Sequence, residues 1–95
     1  MDRDYMKYNE IAEALKVLAH PVRLCIVKSL FDNGECNVGH MYTCLEIPQS
    51  TVSQHLQKLR AAGIIEGKRK GLEIIYKIKD KRMGKLINLI FDLEK

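Results

Sequence analysis

PQSTVSQHLQKLRAAG, residues 48–63, sets two kinds of residue on two faces of one short helix. Val52, Leu56 and Leu59 recur at i, i+4 and i+7, the spacing of a single buried helical stripe. The other face holds Gln49, Ser50, Thr51, Ser53, Gln54 and Gln57, all uncharged donors and acceptors, followed by Lys58 and Arg60. A helix that needs only solubility usually carries Glu/Lys pairs outside. Amides and hydroxyls instead bond base edges and phosphates without a large desolvation cost. Gly63 then stops the helix. The pattern is that of a DNA recognition helix. Because Gln/Ser-rich faces also occur on ordinary solvated helices, the flanking sequence has to decide.

Downstream the period changes from helical to two. Ile64-Ile65 and the set Leu72, Ile74, Tyr76, Ile78, alternating with Glu73, Ile75 and Lys77, predict two strands. Between them Lys68, Arg69 and Lys70 stand between Gly67 and Gly71 as a cationic hairpin tip, suited to phosphate contact. Tyr76 either reaches the DNA backbone or packs. Upstream, Ile47-Pro48 makes a tight turn, and Asn37 caps a short helix carrying Val38, Met41 and Leu45. Residues 5–19 read as a helix with Ile11, Ala14, Leu15 and Leu18 in a stripe, broken by His20-Pro21. Pro21 suits the first turn of the next helix, which carries Leu24, Ile26, Val27, Leu30 and Phe31 and ends at Asp32-Asn33-Gly34. A last helix over 80–93 holds Met83, Leu86, Ile87, Leu89, Ile90, Phe91 and Leu93, too apolar all round to be left in water.

These elements predict a mainly α fold with a small two-stranded β-wing: a homodimeric winged helix-turn-helix filling residues 1–95 as one domain. The helix-turn-helix spans 37–62 and the wing 64–78, while the helices over 5–19 and 80–93 build the dimer through Ile11, Leu15, Leu86, Ile87, Ile90 and Phe91. Double-stranded DNA is the expected partner. Gln49, Ser50, Thr51, Ser53, Gln54 and His55 would face bases and nearby phosphates, and Lys58, Lys68, Arg69 and Lys70 would supply backbone affinity.

Charge supports that partner. Residues 1–47 hold five Lys/Arg against seven Asp/Glu, whereas residues 48–82 hold nine against three, so the net +4 is concentrated from the recognition-like helix onward. Other classes are disfavoured. No apolar run approaches the roughly 20 residues that span a bilayer, and MDRDYMKYNE is too polar for a signal peptide. A cytosolic, nucleoid-associated chain with no membrane partner is expected. Cys25, Cys36 and Cys44 form no regular framework and are expected to stay reduced. There is no Gly-rich phosphate loop, nucleophile elbow or pair of carboxylates on an apolar wall, so neither catalysis nor a small-molecule substrate is expected.

Three ordered blocks, LKVLAHPVRLCIVKSL (15–30), IPQSTVSQHLQKLRAAGII (47–65) and KRKGLEIIYKI (68–78), closely resemble the ArsR/SmtB family of bacterial winged-helix repressors over roughly residues 10–80. The resemblance implies a homodimer on an imperfect inverted repeat, with binding weakened in many members by an inducer, commonly a metal ion. The Glu-Leu-Cys-Val-Cys motif of the arsenic and cadmium sensors falls on Glu35-Cys36-Asn37-Val38-Gly39, which puts Asn37 and Gly39 at the two thiolate positions. The last helix lacks the His-x-x-His of the zinc and cobalt sensors, and lacks the Cys that redox-responsive members pair with the second helix. By these departures the chain resembles the metal-independent, PagR-like branch, with no cofactor. Cys36, His40 and Cys44, at i, i+4 and i+8, remain candidates for a zinc- or thiol-responsive sensor. A solvent-facing His and small packed thiols are the plainer reading. His20 reads as a helix-junction residue, and His55 as a phosphate-contacting or structural one. A winged helix that binds only another protein is the rival from a different class.

Overall fold

The computed structural model describes residues 4–93, apart from the side chains of Tyr42, Thr43 and Cys44. A 3₁₀ turn over Tyr5–Tyr8 leads into α1 (Asn9–Leu18), so the helix expected over 5–19 is split in two. His20 separates α1 from α2 (Pro21–Asn33). Its Nδ1 accepts from the Val22 N–H at 3.1 Å, and Pro21 takes the first turn, where its missing N–H costs nothing. After α2 come β1 (Glu35–Asn37), α3 (Val38–Leu45), α4 (Gln49–Ala61), β2 (Ile65–Lys70), β3 (Glu73–Ile78) and α5 (Lys81–Asp92).

The helix-turn-helix is α3 and α4, closed at each end by local chemistry. Asn37 Oδ1 accepts from the His40 N–H at 2.7 Å and caps α3. The chain reverses through Glu46, which sits in the left-handed region at φ 54°, and then through Ile47 and Pro48. At the far end of α4 the Gly63 N–H donates to the Arg60 carbonyl and the Ile64 N–H to the Leu59 carbonyl, the paired bonds of a Schellman cap. That cap drives Ile64 and Ile65 straight into the core, where both are buried. Val27, Val52, Leu56, Leu59 and Leu30 join them, so the stripe expected on α4 is the centre of the protein.

The sheet differs from the expected hairpin in two ways. It has three strands in the order β1-β3-β2, because β1 pairs antiparallel with β3 (Cys36 opposite Tyr76). Three residues that end on a helix cap give no alternation to read, so the sequence of β1 carries no strand signal of its own. The cations also lie elsewhere. β2 runs on to Lys70, which faces Glu73, so the turn itself is only Gly71-Leu72 and the three cations belong to the strand. The two glycines serve different needs. Gly71, at φ 63°, supplies the positive φ that a two-residue hairpin turn requires at its first central position. Gly67 leaves room for its cross-strand neighbour, since a Cβ there would stand 2.9 Å from Tyr76 Cε1 and 3.2 Å from Ile74 Cγ2. Tyr76 is buried and packs. Leu72, expected to begin the apolar face of the second strand, sits instead on the turn in full solvent.

Asp80 begins α5, accepting from the Arg82 N–H at 3.0 Å. Arg82 returns the contact through Nε and Nη2, and these bonds hold the Asp80 carboxyl below the usual carboxylate range. Met83, Gly84 and Ile87 are the buried residues of α5, which packs onto α2, and Gly84 lies close against Phe31 of α2 and Ile78 of β3.

Candidate nucleic-acid interface

Helix α4 presents Gln49, Ser50, Ser53, Gln54, Gln57, Lys58 and Arg60 to solvent, with Thr51 half-buried beside them. All are fixed by the opposite face, because Val52, Leu56 and Leu59 are each at most 2 % exposed and leave the helix no freedom to roll. No side chain caps its N-terminus. The Pro48 carbonyl takes the N–H groups of Thr51 and Val52, so the first turn offers the N–H groups of Gln49 and Ser50 and the positive end of the helix dipole to an approaching anion.

His55 departs from the expected contact set. It is buried, at 8 % exposure, and points away from the Gln/Ser face. Arg23 Nε donates to its Nδ1 at 3.0 Å, and Arg23 Nη1 donates to the Val17 carbonyl at 3.1 Å. One guanidinium thus ties α2 to the end of α1 and to α4. The His20 ring lies 4.4 Å from that of His55, centroid to centroid, at an interplanar angle of 51°. An imidazole that accepts at Nδ1 is neutral there. Burial, then His20 and Arg23, push its pKa below the ordinary histidine value. His55 therefore supports the recognition helix from behind. The i, i+4, i+7 stripe leaves it out, but position 55, three residues after Val52 and four before Leu59, adjoins the edge of that stripe and completes an apolar arc of about 100°.

On the wing, Lys68, Arg69 and Lys70 are all exposed but not equivalent. Cross-strand partners share a face. Lys68 and Lys70 therefore lie with Ile75 and Glu73 on the outer face, while Arg69 lies with Ile74 on the face where the helices pack. The outer face also carries the exposed Lys77–Glu66 pair at 3.4 Å. Arg69 is the cation of the three on the side of α4.

The residues expected at a dimer contact divide. Ile87 is 3 % exposed and belongs to the core of its own protomer, with Ile11 and Phe91 packed partly against it. Ile87 is thus withdrawn from the expected interface, because the inward stripe of α5 needs it. Leu15 and Ile90 are exposed and Leu86 is half-buried. Leu89 and Leu93 extend the outward stripe with Leu86 and Ile90, at i, i+3, i+4 and i+7, and Tyr5, Met6 and Tyr8 add exposed apolar surface at the other terminus.

Cys36 and His40 line one cavity of about 120 Å³ with Cys25, between α2 and α3. The Cys44 side chain lies outside the described residues. Among the described residues no three His, Cys, Asp or Glu side chains are grouped to hold a metal ion, and no helix is long and apolar enough to cross a membrane.

Comparison with known proteins agrees with this geometry. Residues 20–67 match the family described as bacterial regulatory protein, arsR family. The chain is 42 % identical over 87 residues to the transcriptional repressor PagR of Bacillus anthracis, covering 92 % of this chain and 87 % of that one. The PagR crystal structure superposes with a TM-score of 0.82, covering 92 % of this chain and 99 % of that one. A biofilm growth-associated repressor of Xylella fastidiosa is 39 % identical over 90 % of this chain and 74 % of its own length. The solution structure of a homodimeric winged helix-turn-helix DNA-binding domain, Mb0332 from Mycobacterium bovis, has a TM-score of 0.83 at 29 % identity, covering 99 % of this chain and 86 % of that one.

Proposed function

The chain belongs to the ArsR family of bacterial regulatory proteins, and we propose that this transcriptional repressor acts as a homodimer that reads an inverted repeat with two copies of α4. Each α4 enters a major groove, and the two half-sites are centred one helical turn apart, about 34 Å. Gln49, Ser50, Ser53 and Gln54 bond base edges and adjacent phosphates. Thr51 is half-buried at the margin of that set. Lys58, Lys68, Arg69 and Lys70 neutralise phosphates and make affinity salt-dependent. His55 acts through Arg23 as a support. Exposed apolar residues from both termini, chiefly Leu15, Leu86, Leu89, Ile90 and Leu93, meet their copies across the dimer axis. The chain works by binding and not by catalysis, in the cytoplasm, and holds no resident cofactor.

The observation that carries this reading is the division of α4 into a fully buried apolar stripe and an uncharged, hydrogen-bonding outer face. Selecting a duplex from a random-sequence pool, then weighing the complex by analytical ultracentrifugation, tests it. Two chains per duplex are expected. Ile90→Glu with Leu93→Glu should give monomers that bind at least roughly a hundredfold more weakly, as the loss of bivalency demands. One chain per duplex at undiminished affinity would refute the dimer. A second reading makes the cavity lined by Cys25, Cys36 and His40 a metal- or thiol-responsive sensor. Stoichiometric Zn²⁺ or a mild thiol oxidant that released the duplex would favour it. Indifference to both supports the cofactor-free repressor.

A further inference from the structure

The cavity of about 120 Å³ between α2 and α3 has a graded lining. Ile26 and Met41 are buried at its floor, Cys36 is half-buried on its wall, and Cys25 and Ser29 stand exposed at its mouth. Water finds few hydrogen-bond partners on such a floor, whereas an apolar occupant finds contact. Size limits that occupant to one small ring, since a closed apolar cavity of roughly 150 Å³ accepts benzene and this one is open on one side. The lining also chooses between rings. Sulfur comes from three elements, Cys25 on α2, Cys36 on β1 and Met41 on α3, and soft sulfur favours the edge of an aromatic ring. Among the described residues no Lys, Arg, Asp or Glu side chain lines it, so a charged ligand would lose hydration without compensation. The Ser29 hydroxyl at the mouth suits one polar substituent instead.

We propose that this cavity is an effector site for a small uncharged aromatic molecule bearing one hydroxyl, phenol being the simplest, and that its occupant strengthens DNA binding. The regulatory half rests on the DNA-binding reading above; the site itself does not. Helix α3 packs chiefly on β1, β3 and α4, and Met41 is its one buried side chain among the described ones. Its last residue, Leu45, lines the cavity and leads through Glu46, Ile47 and Pro48 directly into α4. A ring seated between α2 and α3 adds contacts on the remaining side of α3 and so braces the start of the recognition helix. Order supplied by the ligand need not be supplied again by the duplex, and the coupling is reciprocal. The sign separates this site from a metal- or thiol-responsive sensor at the same thiols, whose occupation releases the duplex.

The test titrates the whole chain with phenol and follows backbone amide shifts by NMR, with no DNA present. Shifts should concentrate in α2, β1 and α3 and give a Kd of about 0.1–1 mM, as a modest ligand efficiency over seven heavy atoms implies. Cyclohexanol, with the same heavy atoms but no aromatic ring, should bind about tenfold more weakly. Ser29→Ala should weaken phenol about fivefold and leave benzene unchanged. Cys25→Phe places a ring of the protein's own at the mouth and should abolish binding, and the exposure of that position lets thermal melting exclude a folding defect. Saturating phenol should then raise the affinity of the wild-type protein for the selected duplex about threefold, and leave that of Cys25→Phe unchanged. Equal affinity for phenol and cyclohexanol, phenol binding retained in Cys25→Phe, or a duplex affinity that phenol leaves unchanged or lowers would overturn the proposal. Failure to enrich any duplex from the pool would overturn the DNA-binding reading and the regulatory half with it, while the NMR titration still decides the site.

Discussion

Helix α4 is held along its whole length. Val52, Leu56 and Leu59 disappear into the core, Arg23 braces it through His55, and a Schellman cap fixes where it stops. The wing is held only at its base, where Ile65, Tyr76 and Ile78 are buried, and from Lys68 to Glu73 every residue is exposed. The contrast separates two tasks. A surface that reads bases needs side chains placed to a fraction of an ångström, and packing supplies that placement. A surface that collects phosphates tolerates motion, because charge acts over several ångströms and counterion release is insensitive to fine geometry. Position and charge are thus assigned to different parts of one small chain.

The largest expected effect breaks the rigid side. Leu59→Ala removes a fully buried side chain from the centre of the core and should cost about 2–5 kcal/mol of unfolding free energy in urea titration. The wing contains one comparably tight contact. Gly67→Ala would drive a methyl group against the Tyr76 ring, and should cost about 1–3 kcal/mol while the recognition helix keeps its hydrogen-exchange protection. A loss of protection in α4 equal to that in the wing would show that the two are one cooperative unit.

The His55 support makes a pH-dependent prediction of smaller size. Its pKa is lowered in the folded protein, so between that value and the unfolded value near 6.5 the unfolded chain binds more protons. The stability it contributes is present above about pH 6.5 and lost as pH falls through the lowered pKa. Urea midpoints measured from pH 8 to pH 5 should fall along this window, and His55→Gln should flatten that part of the profile. An unchanged profile in the variant would contradict the neutral, Arg23-bonded imidazole. Smallest of all, Arg69→Ala should leave folding intact and reduce the salt slope of DNA binding by about one.

Helix periods, caps and turn residues were legible in the sequence because each is set within a few neighbouring residues. Asn37 does cap α3, Pro21 does open α2, and the apolar stripe of α4 is the core. What escaped depends on partners distant along the chain. The strand at Glu35–Asn37 exists because β3 offers it an edge. Gly67 bounds no turn, and answers instead to a tyrosine nine residues away. His55 turns inward because Arg23, thirty-two residues earlier, reaches its ring. Ile87 could be assigned to the core and not to a dimer contact only once it was known which face of α5 meets α2.

The central claim is that α4 reads sequence while the wing supplies charge, and one paired measurement tests it most directly. Gln54→Ala and Arg69→Ala would each be titrated by fluorescence anisotropy on the selected duplex and on a shuffled one, across a salt series. Gln54→Ala should cost about 1–3 kcal/mol on the selected duplex and little on the shuffled one, while Arg69→Ala weakens both by the same factor. Equal losses for both variants on both duplexes would contradict the division of labour.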